Sequence, residues 1–157
     1  LGDVYKRQTV SGNQINIGVG IANNTGTDKS LEDLVTATAH NAFLKWLPNF
    51  IADNFHQHTT ATAKKIAAEH KLTKITFRRT RSKWGHCTSA GAIQYNPLIA
   101  LAPKFVIDYI VCHEVCHLTH QNHSRRFWSL VESIYGEYKK PEQWLKDNGH
   151  RIALEPL

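Results

Sequence analysis

The sequence predicts an α+β fold in which a small antiparallel sheet packs on one central helix, with further helices at its flanks. Three observations carry this. From Pro103 to about Thr119, Val106, Ile107, Ile110, Val111, Val115 and Leu118 follow with no glycine or internal proline. Projected at about 100° per residue they cover most of the circumference, the pattern of a buried helix. Alternation around Ile75 and Phe77, and again over 92–95, marks half-buried strands. Apolar residues recur at helical spacing over 31–46 and 127–135.

Taken in order, residues 1–8 read as translated sequencing-adapter sequence and carry no fold expectation. Residues 9–150 are expected to form one domain, with 151–157 a tail. Ile15, Ile17, Val19 and Ile21 alternate within a strand over 9–21, with Ser11-Gly12-Asn13 as a turn before it and 23–26 as a loop. Ser30, with Asp33 three residues on, opens a helix in a weaker form of the capping box. Pro48 interrupts that helix, and a second one is expected over 49–70. Strand 74–79 is expected to pair in a hairpin with 92–95 across Ser89-Ala90-Gly91. Pro103 suits the first position of the central helix. Ser124 opens the next helix, Gly136 ends it, and Pro141 to Gly149 makes a short closing one.

Composition excludes several classes. The chain has 157 residues, 41% hydrophobic and 20% charged, which is ordinary for a water-soluble domain with a core. No apolar run approaches a bilayer-spanning length and no signal-peptide pattern opens the chain, so no membrane association is expected. Three cysteines argue against a disulfide framework and suit a reducing compartment, hence a cytoplasmic location. The charge of +6 permits nucleic-acid contact, as does the run Arg78, Arg79, Arg81, Lys83 beside Trp84. The preferred reading is a solvated basic surface without that partner.

The chemistry gathers at His113-Glu114-Val115-Cys116-His117. Residues four apart share a helix face, so His113 and His117 can point at one ion. Neutral imidazole is a good zinc ligand, and Glu114 falls close enough to act on a bound water. On a buried helix these polar groups need partners, and a metal ion supplies one. His123 completes the spacing His-Glu-x-x-His-x-x-x-x-x-His of the metzincin signature, with His120 in place of the usual glycine. Asn122 tolerates a left-handed turn there. His40, His56, His58 and His70 have no such arrangement and read as surface or packing residues. Cys112 and Cys116 point about 100° away from the two histidines and read as core. Cys87 reads as a packing thiol in preference to a fourth ligand.

Arg81-Ser82-Lys83-Trp84-Gly85-His86-Cys87, Ile93 to Asn96, Leu101 to Pro103, the His-Glu-Val-Cys-His-Leu run, Asn122-His123-Ser124 and Phe127-Trp128 occur in that order. This resembles the YgjP-like metallopeptidases, relatives of the SprT-like and other zincin families, over about 75–149. The resemblance implies a zincin-like fold with the small sheet over the active-site helix, and one zinc per chain held by His113, His117 and His123. It implies Glu114 as general base in hydrolysis of a peptide or protein substrate, and an edge strand that binds extended substrate. Trp84, Gly85 and Asn96 fit the pattern as supports or cleft walls. His86 stands where the family usually has serine. His86, Tyr95 and Arg81 are the candidates for stabilising the oxyanion. In gluzincins a downstream glutamate is the third ligand, which makes Glu132 the rival to His123; otherwise Glu132 orients a ligand from behind. Two alternatives use the same residues: a zinc hydrolase of a non-peptide amide, and a nucleic-acid-associated module with a structural zinc.

Overall fold

The computed structural model describes the backbone of residues 5–11, 14–20 and 28–152, with the side chains of Asp33 and residues 35–152. It divides at Pro48 into two compact units, each taken by itself. In the first, β1 (Tyr5–Ser11) pairs antiparallel with β2 (Gln14–Gly20), in a register running from Tyr5↔Gly20 to Ser11↔Gln14. The single strand expected over 9–21 is therefore two, with the isoleucine alternation in β2. Gly12 and Asn13 of the expected turn lie outside the described residues, as does the loop expected at 23–26. Helix α1 is assigned over Asp28–Lys65 with Pro48 inside it, not at a break. Proline removes the bond that the Leu44 carbonyl would have accepted, and its ring crowds that carbonyl.

The second unit, from Pro48 onward, carries the spaced motifs of the sequence reading and a core of its own. Ile51, Phe55, Thr59 and Ala63, each four residues apart, form the buried face of this part of α1. Phe55 meets Phe77 edge-on at 5.8 Å and Tyr95 at 5.1 Å. Thr59 Oγ1 and the Tyr95 hydroxyl share a buried hydrogen bond of 3.0 Å.

The sheet consists of β3 (Lys74–Phe77), β4 (Gly85–Cys87) and β5 (Ala92–Tyr95), in the order β3-β5-β4. Strand β5 runs parallel to β3 and antiparallel to β4. The sheet is thus mixed, and the hairpin partner of β5 is β4, not the 74–79 strand. The reason lies in the turn. Gly91 adopts φ 78°, its N–H donates to the Thr88 carbonyl at 3.0 Å, and Thr88 N–H donates to the Ala92 carbonyl at 2.9 Å. That closes the hairpin directly behind Cys87, while the longer connection from β3 permits the parallel pairing. Gly-His-Cys is too short to display alternation.

Asn96, buried just after β5, ties three segments. Its Oδ1 accepts from Leu98 N–H at 3.1 Å and so caps the 3₁₀ turn over Pro97–Leu101. Its Nδ2 donates to the Thr80 carbonyl at 3.0 Å, and its backbone N–H donates to the Trp84 carbonyl at 2.8 Å.

Helix α2 (Lys104–Cys116) starts with Pro103 as its N-cap and buries Val106, Tyr109, Ile110, Val111, Cys112, Val115 and Cys116, as an apolar circumference requires. Helix α3 (Arg125–Tyr135) is fastened to the start of α2 by the Tyr135 hydroxyl, which donates to the Phe105 carbonyl at 2.8 Å. Helix α4 (Lys139–Ile152) is longer than the 141–149 expected, and its Gly149 lies within contact distance of the Trp84 ring. Among the described residues no helix is long and apolar enough to cross a membrane.

Replacing Asn96 by alanine should leave the Thr80 carbonyl and the Leu98 N–H without their partner. We expect a loss of about 1–3 kcal/mol, seen as a thermal midpoint lowered by roughly 3–10 °C. An unchanged midpoint would mean that Asn96 does not hold the loop before β4.

Candidate metal centre

The last turn of α2 delivers the first two histidines. Helix α2 ends at Cys116, and His117 is its C-cap, with its N–H on the His113 carbonyl at 3.4 Å. The chain then folds back. His120 N–H donates to the Cys116 carbonyl at 3.0 Å, and Gln121 Nε2 donates to the His117 carbonyl at 2.6 Å, closing the end of the helix. This return does not use a left-handed Asn122, for among the described residues only Ala67 has a non-glycine positive φ. Tight backbone bonds and the Gln121 clamp make the turn instead. Ser124 then caps α3 through Phe127 N–H, which leaves His123 at the junction.

As a result three ring nitrogens converge. His113 Nε2 stands 3.3 Å from His117 Nε2 and 3.0 Å from His123 Nε2, and one nitrogen from each of the three rings lies within 4.8 Å of the others. Two nitrogens bound to one tetrahedral ion at about 2.0–2.1 Å would stand roughly 3.3–3.4 Å apart. The protonation pattern agrees. His117 donates Nδ1–H to the His120 carbonyl at 2.9 Å, so the neutral ring presents a bare Nε2. Burial, and then His117 and His123, push His113 down to about 3, and burial lowers His117 as well. The neutral imidazole is the form that ligates, so this donor set fits a metal ion.

Phe127, fully buried on α3, forms the floor under all three rings. Its centroid lies 4.9 Å from that of His113, 4.5 Å from His117 and 4.8 Å from His123. Trp128 stacks on His123 at 5.6 Å, and Tyr138 stacks on Trp128 at 4.7 Å.

Glu114 is buried against β4. A Cβ on Gly85 would stand 2.5 Å from Glu114 Cγ and 2.6 Å from Cδ, so only glycine leaves this carboxyl its place. Burial pushes the Glu114 carboxyl from its ordinary 4.5 up to about 8, with Lys83 pulling the other way. Glu114 and the three histidines line one cavity of about 520 Å³, together with Trp84, Gly85 and His86.

Other expected site residues fall elsewhere. Tyr95 is fully buried with its hydroxyl held by Thr59, so it supports the sheet and does not face the cleft. Asn96 is likewise a support. Of the three oxyanion candidates, His86 alone lines the cavity, and Arg81 is an exposed loop residue. Glu132 is exposed on α3; the carboxylate that reaches a site histidine is Glu142 on α4, through Tyr109. Cys87 lines the cavity, but burial and then Glu114 push its thiol up to about 11, which suits packing. Cys112 and Cys116 are buried as expected. His58 gains a partner across the unit, Asp108 at 3.6 Å.

Tyr109, Gln121, Glu142 and Lys146 were not singled out from the sequence, though all line the cavity. Tyr109 lies four residues before His113, a usable signal of a shared helix face. Glu142 and Lys146 arrive on α4 by tertiary packing and have no local signal.

Comparison with known proteins adds the following. The family model described as "YgjP-like, metallopeptidase domain" matches residues 1–148. Among solved structures, the chain is similar to the crystal structure of the metallopeptidase zymogen of Pyrococcus abyssi abylysin. That match has 19% identity and a TM-score of 0.49, and covers 60% of this chain and 92% of that one. No curated protein matches the chain.

Two outcomes are expected, the second of them for the metal-free protein. Gly85→Ala should displace Glu114 or β4, lowering the thermal midpoint and any hydrolytic activity together; a variant with both unchanged would remove the steric argument. The second concerns pH. His113 resists a proton that the unfolded chain takes up near 6.5, and Glu114 keeps a proton that the unfolded chain loses near 4.5. Between about pH 4.5 and 6.5 the two effects oppose. Above 6.5 the Glu114 effect acts alone, so stability should fall toward pH 8 at up to about 1.4 kcal/mol per pH unit. Glu114→Gln should abolish that fall in a pH series of thermal unfolding.

Proposed function

The chain belongs to the YgjP-like metallopeptidases, and from that membership we propose that it is a zinc-dependent peptidase whose ligands are His113, His117 and His123 and whose general base is Glu114. One observation supports this above the rest. Three imidazoles turn their Nε2 atoms toward one another, and a buried carboxyl lies on the wall of the same cavity. An all-nitrogen donor set suits zinc. A structural zinc would call for a closed four-ligand site and has no use for Glu114. Among the described residues the ligand group comprises three histidines, which favours a site with an open position.

When bound, zinc supplies Lewis acidity and a water whose pKa is lowered toward about 7. The chain's own residues do the rest. Glu114 takes a proton from the attacking water and returns it to the leaving amine. The apolar wall around it keeps the carboxyl basic enough for that exchange. His86, and Lys83 on the same cavity, offer positive or N–H character toward the developing oxyanion. Strand β4 is an edge of the sheet and carries Gly85 and His86 into the cavity, so its outer backbone groups suit an extended peptide.

The test combines zinc content with hydrolysis of an unfolded protein. Wild type should bind about one zinc per chain and cleave. Glu114→Gln should keep the zinc and lose roughly 10²–10⁴-fold in rate. His123→Ala should lose most of the zinc. Full zinc in His123→Ala would move the third ligand elsewhere, and a chain that binds no zinc at all would end the proposal.

A further inference from the structure

The cavity of the metal centre also holds a chain of polar contacts, from Glu142 through Tyr109 to His113, that the peptidase reading does not use. The Tyr109 hydroxyl lies 3.3 Å from Glu142 Oε1, and His113 Nδ1 lies 3.4 Å from the same hydroxyl. Both contacts are longer than ordinary hydrogen bonds, which run to about 3.2 Å. The direction of the first is set by its acceptor, and that of the second follows from the His113 tautomer. A carboxylate only accepts, so the one Tyr109 proton goes to Glu142. The phenol oxygen then has only lone pairs left for His113, and His113 Nδ1 must be the donor. A neutral ring with its proton on Nδ1 has none on Nε2.

We propose that Glu142, acting through Tyr109, is a positioning residue that holds His113 in the Nδ1–H tautomer and so keeps its Nε2 bare toward the metal. His117 achieves the same state more simply, through the His120 carbonyl at 2.9 Å. The two α2 histidines are thus oriented from different elements. One uses the return loop just beyond the helix, and the other uses a carboxylate from α4, thirty-three residues beyond Tyr109. Glu142 also meets Lys139 at 3.2 Å through its other oxygen, Oε2, which leaves Oε1 for Tyr109. The inference builds on the metal-site reading above, yet its main readout needs no metal.

The experiment uses the full chain stripped of metal. Long-range proton–nitrogen NMR reports which His113 nitrogen carries the proton, and zinc affinity is measured with the ion alone against a competing chelator. Wild type should show Nδ1–H at His113. In Glu142→Gln the carboxamide can donate to the phenol oxygen, turning the hydroxyl toward His113 Nδ1. The ring should then shift to Nε2–H, and zinc affinity should fall by about 10–100-fold. Tyr109→Phe should erase the preference between tautomers. In the Tyr109→Phe background, Glu142→Gln should cost nothing further, because its route to His113 is gone. Lys139→Gln should leave the tautomer as in wild type.

The proposal is overturned if His113 keeps Nδ1–H in both Glu142→Gln and Tyr109→Phe, or if the losses from the two substitutions simply add. Should Glu142→Gln fail to fold, Tyr109→Phe alone decides by the same tautomer signal. A wild type that carries Nδ1–H but binds no zinc would sink the peptidase reading while leaving the relay intact.

Discussion

A polar group carried into the core by an apolar helix must find its partner inside the protein, since leaving it bare costs about 1–3 kcal/mol and leaving it charged costs more. Helix α2 is apolar around most of its surface and still carries His113, Glu114 and, at its end, His117. The surrounding elements answer that demand one group at a time. The return loop gives His117 a carbonyl and closes the helix end with Gln121. Strand β4 gives up a side chain at Gly85 to make room for Glu114. Helix α4 brings Glu142 to Tyr109, and α3 sets Phe127 beneath the rings. What remains is three imidazoles whose Nε2 atoms face one another.

The same demand explains what could be read from the chain beforehand. Residues that spacing along the chain brings together were legible: His113, Glu114 and His117 on a helix, and His123 at a junction marked by Ser124. So were the burial of α2 and the family, whose motifs recur in order. What depends on pairing between distant segments was not. The pairing of β3 with β5 was legible but its direction was not, and the hairpin partner β4 was missed because Gly-His-Cys has no alternation to show. Its place is fixed by the Gly91 turn and by Glu114 beneath Gly85. Glu132 drew attention because it follows the histidines at a plausible distance, whereas Glu142 reaches the site only because α4 packs on α2. Asn122 was expected to turn the chain by its own backbone, and backbone bonds with Gln121 do so instead.

Tyr95 and Asn96 show a subtler limit. Both belong to the recurring motif, and both turn out to hold the sheet and the loop before β4 in place. A motif records what a site needs, and it does not separate groups that touch the reacting atoms from groups that hold the walls.

Phe127 has an implication for how the protein opens and closes. One ring touches three imidazoles that come from the end of a helix and from a loop, so the three cannot lose their arrangement independently while α3 is folded. Conversely, a local opening that lifts α3 removes the floor from all of them at once. Retention of a bound ion would then depend on how often α3 opens. A substitution in α3 that never approaches the ligands would make the protein leak metal.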